Sequence, residues 1–175
     1  MPESMPDSFP LTEVGGEFVK IAFESEVDLL LQKGHPDRPA ARFNRPGQDA
    51  LYLSPDEKSA RVAIGQYVTA DDPPRVLVRY QVEASRLCDL RLEAAADIYA
   101  LARQKWLPDV ADSKEAASWI AADRIRQAGL SGLIDPSRRQ PGLWHITLFR
   151  WNEKDGPCIQ QIGDPSPILL KSESP

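Results

Sequence analysis

RFNRPGQDALYLSPDEKSARVAIGQYV, residues Arg42–Val68, holds a loop, a strand and the start of a helix with little slack between them. Ala50–Leu53 is a short apolar run of strand length, and Arg42–Gly47 before it places two guanidinium groups on a turn-rich loop. Ser54-Pro55-Asp56-Glu57 has the form of a capping box: Ser54 can accept from the backbone at Glu57, Pro55 takes the first helical position, and two acids fill the first turn. A helix is expected from there, with Ala60, Ala63, Ile64, Tyr67 and Val68 recurring at i, i+3, i+4, i+7 and i+8 as its buried face. The loop arginines, Tyr52 and the helix can then converge on one place.

Upstream, Glu17–Phe23 alternates as a strand does, and Ser25–Lys33 can form a short helix ended by Gly34. Downstream, Ala70–Pro74 is a breaker, and Arg75–Val82 alternates with Val76, Val78, Tyr80 and Val82 on one face. Arg86–Leu90 reads as another short extended piece. Arg91–Lys105 is alanine-rich and helical. So is Ser113–Ala128, capped by Asp112 or Ser113, with Ala117, Ile120, Ala121, Ile125 and Ala128 inward and Gly129 at its end. Pro108 separates these two helices. Gly132–Asp135 and Trp144–Phe149 read as strands around the loop Pro136–Gly142, and Ile159–Ile162 as one more extended segment. Strands paired both sequentially and across helices imply an α+β domain with a central mixed or antiparallel sheet and flanking helices. The expected layout is a flexible segment over 1–15, one domain over 16–165 and a tail over 166–175.

A chain of 175 residues, 42% of them hydrophobic, can bury one substantial core and is short for two. Its net charge of −5 gives no electrostatic footprint for direct nucleic-acid binding. Cys88 and Cys158, like His35 and His145, lie far apart without metal-ligand spacing, so neither a zinc site nor a disulfide framework is signalled. No apolar run approaches the ~20 residues of a membrane span, and MPESMPDSFPLTE lacks the layout of a signal peptide. A reducing cytoplasm is the expected location.

Taken together, Arg42-Phe43-Asn44 with Pro46-Gly47, Ala50–Ser54, Leu87–Leu90, and Gly129–Ser137 followed by Trp144–Phe149 resemble the RES domain over about Phe18 to Phe149. The resemblance implies the toxin of a bacterial toxin–antitoxin pair that consumes NAD+, a fold similar to ADP-ribosyltransferase-like toxins, and a partner antitoxin of the Xre type. It leaves a homodimer open. It identifies Arg42 as the family's Arg, Tyr52 as its pocket tyrosine and Ser137 as its Ser. The chain departs from the family in two places. Ala63 stands where the family's Glu belongs, eleven residues beyond Tyr52, and Lys20 stands where many members carry Arg.

The implied chemistry accounts for these residue types. Cleaving the nicotinamide–ribose bond expels a neutral leaving group through an oxocarbenium-like transition state, which carboxylates stabilise. Arg42 would clamp the pyrophosphate, with Lys20, Arg45 or Arg138 as further charge. Tyr52 or Phe43 would stack on a ring, Ser137 would hydrogen-bond ribose or the carboxamide, and Asn44 would complete the binding set. NAD+ would be substrate, with no separate cofactor and no metal. The carboxylate absent at Ala63 belongs to a class of group whose loss costs on the order of 10²–10⁴ in rate. Asp56, about two turns earlier on nearly the same face, could replace it or could serve only the helix dipole.

Each residue also has a plainer reading. Arg42 and Arg45 could form surface ion pairs, Tyr52 could be core, Ser137 a turn residue, Lys20 a solvated strand position and His145 a hydrogen-bonded structural histidine. The competing function is a weakened RES-like protein that binds a nucleotide or a protein without significant turnover, and Ala63 is the residue that favours it.

Overall fold

The computed structural model describes residues 8–106 and 114–170. The long strands β1 (Leu11–Phe23) and β3 (Arg75–Asp89) run antiparallel for almost their whole length, from Leu11 opposite Cys88 to Phe23 opposite Arg75. A bulge between Val14 and Gly16 bends β1, and Gly16 meets it with φ +104°, a conformation open to glycine and strained for other residues.

The other edge of β3 is shared by three partners. β7 (Ser166–Pro167) and β6 (Ile159–Gln161) pair antiparallel to its first part, and β4 (Gly132–Pro136) pairs parallel at Cys88 and Asp89. β5 (Trp144–Leu148) continues from β4, and β2 (Leu51–Leu53) from β5, giving the order β1-β3-β4-β5-β2 in a mixed sheet. Gly132 permits the β4–β5 approach, since a Cβ there would lie 2.1 Å from the Thr147 carbonyl oxygen. The sheet then curls back on itself. Val19 and Ser54 exchange both backbone hydrogen bonds, at 2.7 and 2.9 Å, so the far end of β2 touches β1.

Period-two alternation sorts the side chains of this curled sheet. Phe18, Leu51, Leu53, Val76, Val78, Tyr80, Val82, Leu87, Ile134, Ile146 and Leu148 form the inner cluster, joined by Trp151 and Ile159. The opposite face, with Cys88, Leu133 and Tyr52, packs against α2 (Ala96–Ala102) and α3 (Ala117–Gln127) through Ile98, Ala102, Ala121, Ala122 and Ile125. α1 (Glu57–Gly65) lies against β1 and β3, with Ala60 and Ile64 on Val19, Ile21 and Leu77.

The α+β class, the single domain and the mixed sheet are as the sequence implies, and several details differ. β1 begins at Leu11 and Ser166–Pro167 pair with β3, so the expected boundaries at 16 and 165 both fall inside the sheet. β3 runs unbroken through the stretch that reads as two strands. The helix expected over Ser25–Lys33 is a 3-10 turn at Glu24–Leu29, and Arg91–Lys105 narrows to a 3-10 turn at Glu93–Ala95 followed by α2. α3 begins after Ala116; Pro108 and the candidate caps Asp112 and Ser113 lie outside the described residues, as do 1–7 and 171–175.

The buried face of α3 is also rotated from expectation. Ser118, Trp119 and Ala122 are buried while Ile120 and Ala128 are exposed. Two polar anchors set that phase: Ser118 Oγ donates to the Arg42 carbonyl, and Trp119 Nε1 donates to the Ala41 carbonyl at 2.8 Å. The α1 cap is Asp56, whose carboxylate accepts from the Ser59 amide at 2.7 Å, and not Ser54, whose backbone is committed to Val19.

Candidate functional site

The Arg42 loop is fixed from both sides. Asn44, buried, donates from Nδ2 to the carbonyls of Pro39 and Arg45, and the Tyr52 hydroxyl donates to Asn44 Oδ1 at 2.7 Å while accepting from the Phe43 amide at 3.0 Å. Arg126 in α3 donates to the carbonyls of Phe43 and Asp49. Arg42 therefore leaves the loop in a defined direction. Its Nη1 donates to the carbonyl of Ala102, the last residue of α2, at 3.2 Å, and to that of Gln104 just beyond it at 2.9 Å.

Around that guanidinium stand the charged Arg138 and Asp135 and the phenols of Tyr67 and Tyr52. Partial burial and then Arg138 lower its pKa, against the opposing pull of Asp135 and the tyrosines. Asp135, 5% exposed, is held by both Nη atoms of Arg138 at 2.9 and 2.8 Å. Both Nη atoms of Arg138 are spent on Asp135, so this partly exposed ion pair sets a polar, charge-balanced rim beside Arg42. Ser137 belongs to the same turn. Its amide donates to the Leu143 carbonyl and its Oγ accepts from the Gln140 amide at 3.1 Å. Arg42, Tyr52 and the Ser137 turn thus gather at one end of the sheet, on the face that carries α2 and α3.

The remaining expected residues take other roles. Phe43 is 1% exposed inside the α2–α3 cluster and Asn44 equally buried, so neither offers a surface to a ligand; both support the Arg42 loop. Arg45 is paired with Asp123 and Glu115 and lies over Trp119, so it adds no free charge. Lys20 meets the group only through Tyr52, donating to its carbonyl at 3.2 Å with Nζ 5.8 Å from the ring centroid. Burial, then Arg38, depress the Lys20 ammonium to about 8. Desolvation raises the Tyr52 phenol, which stays protonated.

Two further residues stand near these groups that the sequence reading did not assign to the site: Tyr67, read as core, and His145, read as a hydrogen-bonded structural histidine, which its contact with Ser54 bears out. Tyr67 was placed on the buried face of α1, but the helix stops at Gly65 and Tyr67 is 41% exposed beside Arg42 and Tyr52. Its signal was Gly65, an early helix stop. The other is His145, whose Nδ1 lies 3.0 Å from Ser54 Oγ and whose backbone pairs with Asp135. His145 feels Asp56 at one end of α1, and Arg42 feels Tyr67 just past the other. Ala63 lies between those ends in α1, half-buried, on the side of Asp56 by helical period. Two open depressions in the surface lie elsewhere, one beside Val19 and Asp56 and one beside Val27 and Pro167.

The RES domain family model matches residues 30–169, four-fifths of the 175. The chain belongs to the RES domain family. The architecture of this RES domain is similar to that of a chain in the crystal structure of the M. tuberculosis MbcT–MbcA toxin–antitoxin complex, with a TM-score of 0.58 and 13% identity over 87% of this chain and 85% of that one. At that identity the likeness is one of fold. No curated protein matches the sequence. Among the described residues of the RES domain no helix is long and apolar enough to cross a membrane.

Proposed function

We propose that this RES domain is the toxin of a toxin–antitoxin pair and that it cleaves NAD+ at the nicotinamide–ribose bond, by hydrolysis, phosphorolysis or ADP-ribosyl transfer. The observation that supports the reading is the convergence of Arg42, Tyr52 and the Asp135–Arg138 turn on one end of the sheet. Arg42, whose Nη1 is anchored and whose other guanidinium nitrogens have no hydrogen-bond partner among the described residues, suits a pyrophosphate, and Arg138 can join it by exchanging its Asp135 contacts for phosphate oxygens. Tyr67 and the Tyr52 ring offer aromatic surface for a base or nicotinamide. The Ser137 hydroxyl, accepting from Gln140, keeps its proton for a ribose or carboxamide oxygen. NAD+ is consumed as substrate and no other cofactor enters. The protein works in the cytoplasm and is silenced by an Xre-type antitoxin.

Purified protein given NAD+ releases nicotinamide, and Arg42→Ala reduces release by at least about 10²-fold, the scale of removing one charge-stabilising donor. A second reading rests on Ala63, which stands where the family resemblance expects a carboxylate: the domain binds the nucleotide without turning it over. NAD+ binding in calorimetry without nicotinamide release over hours establishes that reading instead.

A further inference from the structure

Ser54 and His145 carry chemistry that the reading above leaves unused. Ser54 is 5% exposed, its backbone is spent on Val19, and the sole hydrogen-bond partner of its hydroxyl among the described residues is His145 Nδ1, 3.0 Å away. That contact decides the tautomer. If Nδ1 carried the proton, the Ser54 hydroxyl would accept it and its own hydrogen would be left buried without an acceptor, the arrangement that folded proteins avoid. With the Ser54 hydrogen directed to Nδ1, the imidazole proton sits on Nε2. Nε2 has no protein partner among the described residues and is not among their buried unpaired atoms, so it meets solvent.

Register places this donor in the site. His145 pairs with Asp135 across β4 and β5, and Ser54 follows Leu53, which pairs with Ile146. Ser54, His145 and Asp135 therefore form a row across three strands, on the face shared by Tyr52 and Thr147. The charged groups felt by His145 are Asp135 and Arg138 from β4 and its loop and Asp56 from the start of α1. Arg138 is also the cation beside Arg42.

We propose that His145 is a further substrate-contacting residue, a neutral Nε2–H donor to an oxygen of the ribose–nicotinamide half, and that Ser54 is the positioning residue that fixes its tautomer and ring plane. This rests on the NAD+ reading above. A neutral donor suits a substrate whose nicotinamide ring is cationic, because an imidazolium in the same place would repel it. Burial lowers the His145 pKa below its ordinary value, which keeps the neutral form in charge at neutral pH. The Nε2–H tautomer cannot take a proton from an attacking water, so His145 is not the general base.

Nicotinamide release and NAD+ affinity, measured from about pH 5 to about pH 9, test this across the histidine range. His145→Ala lowers kcat/KM by roughly 10- to 100-fold, the fold-change of one unmade hydrogen bond to a desolvated acceptor. His145→Gln, whose amide nitrogen can occupy the Nε2 position, recovers most of that loss and abolishes the acid limb of the wild-type profile. Ser54→Ala shifts the profile and loses activity, and Ser54→Thr, which keeps the hydroxyl, restores both. The inference is overturned if His145→Gln keeps the wild-type acid limb, or if both His145 variants turn over like wild type. It is also overturned if both lose activity alike, keep the wild-type shape of the pH profile and fall together in melting temperature, which marks a structural role. Wild-type protein that releases no nicotinamide overturns the NAD+ reading, and this one with it; an active wild type with indifferent His145 variants sinks this one alone.

Discussion

The Tyr52 hydroxyl donates to Asn44 Oδ1 across 2.7 Å, so the strand that carries one site residue also orients the loop that carries Arg42. The same oxygen accepts the Phe43 amide proton, and both partners are buried. Tyr52→Phe removes the bridge and leaves an amide N–H and a carboxamide oxygen without partners. The expected cost is about 1–3 kcal/mol of stability, read from urea denaturation. Nicotinamide release should fall chiefly through KM, because the Arg42 loop loosens while the ring remains; unchanged stability would mean that the hydroxyl serves the ligand and not the loop.

Ala63→Glu should raise NAD+ cleavage by as much as the ~10²–10⁴ assigned to one positioned acid–base group, and should destabilise the empty protein by placing a charge in a partly desolvated position. Asp56 sharpens the comparison. Its carboxylate caps α1, and the Ser59 amide holds its pKa below the usual carboxylate value. Asp56→Asn keeps a capping oxygen and should leave cleavage unchanged, whereas Asp56→Ala should cost about 1 kcal/mol of stability. Loss of cleavage in Asp56→Asn, rescued by Ala63→Glu, would instead make Asp56 the substitute carboxylate.

Lys20 sets a pH dependence of known sign. Its folded pKa of about 8 lies below the ordinary 10.5, so between those values the unfolded chain holds a proton that the folded one has lost. Unfolding then takes up a proton, and the Lys20 contribution to stability rises with pH through that window, its penalty being complete below about 8. Lys20→Met should remove this slope, and denaturation at stepped pH on the two proteins compares them directly. Parallel curves would show that the ammonium is not desolvated.

Strand identities were legible because the alternation in Arg75–Val82 and Trp144–Phe149 reports a two-sided sheet. The grouping of Arg42, Tyr52 and Ser137 was legible only as a resemblance, since nothing local says that residues on β2 and on a loop nearly ninety positions later meet. Errors arose where tertiary contacts outweighed local signals. Ser54 has the composition of a cap, but the bridge to Val19 claimed its backbone and His145 its hydroxyl. Ile120 fits an apolar stripe, but Ser118 and Trp119, hydrogen-bonded to the Arg42 loop, turned the buried face of α3 toward themselves and left Ile120 exposed while Ala121 and Ile125 stay inward as expected. Phe43 has the composition of a stacking wall, but α2 and α3 cover it completely.

The pairing of Ser54 with His145 spans 91 positions of chain. A ribosome adding ~5–20 residues each second needs roughly 5 to 20 seconds to travel between them. For that interval the growing chain owns the Arg42 loop, β2 and α1 but lacks β4, β5 and the Asp135–Arg138 turn, so the ion pair beside Arg42 and the imidazole do not yet exist. Whatever the site does, it stays incomplete until translation has passed His145.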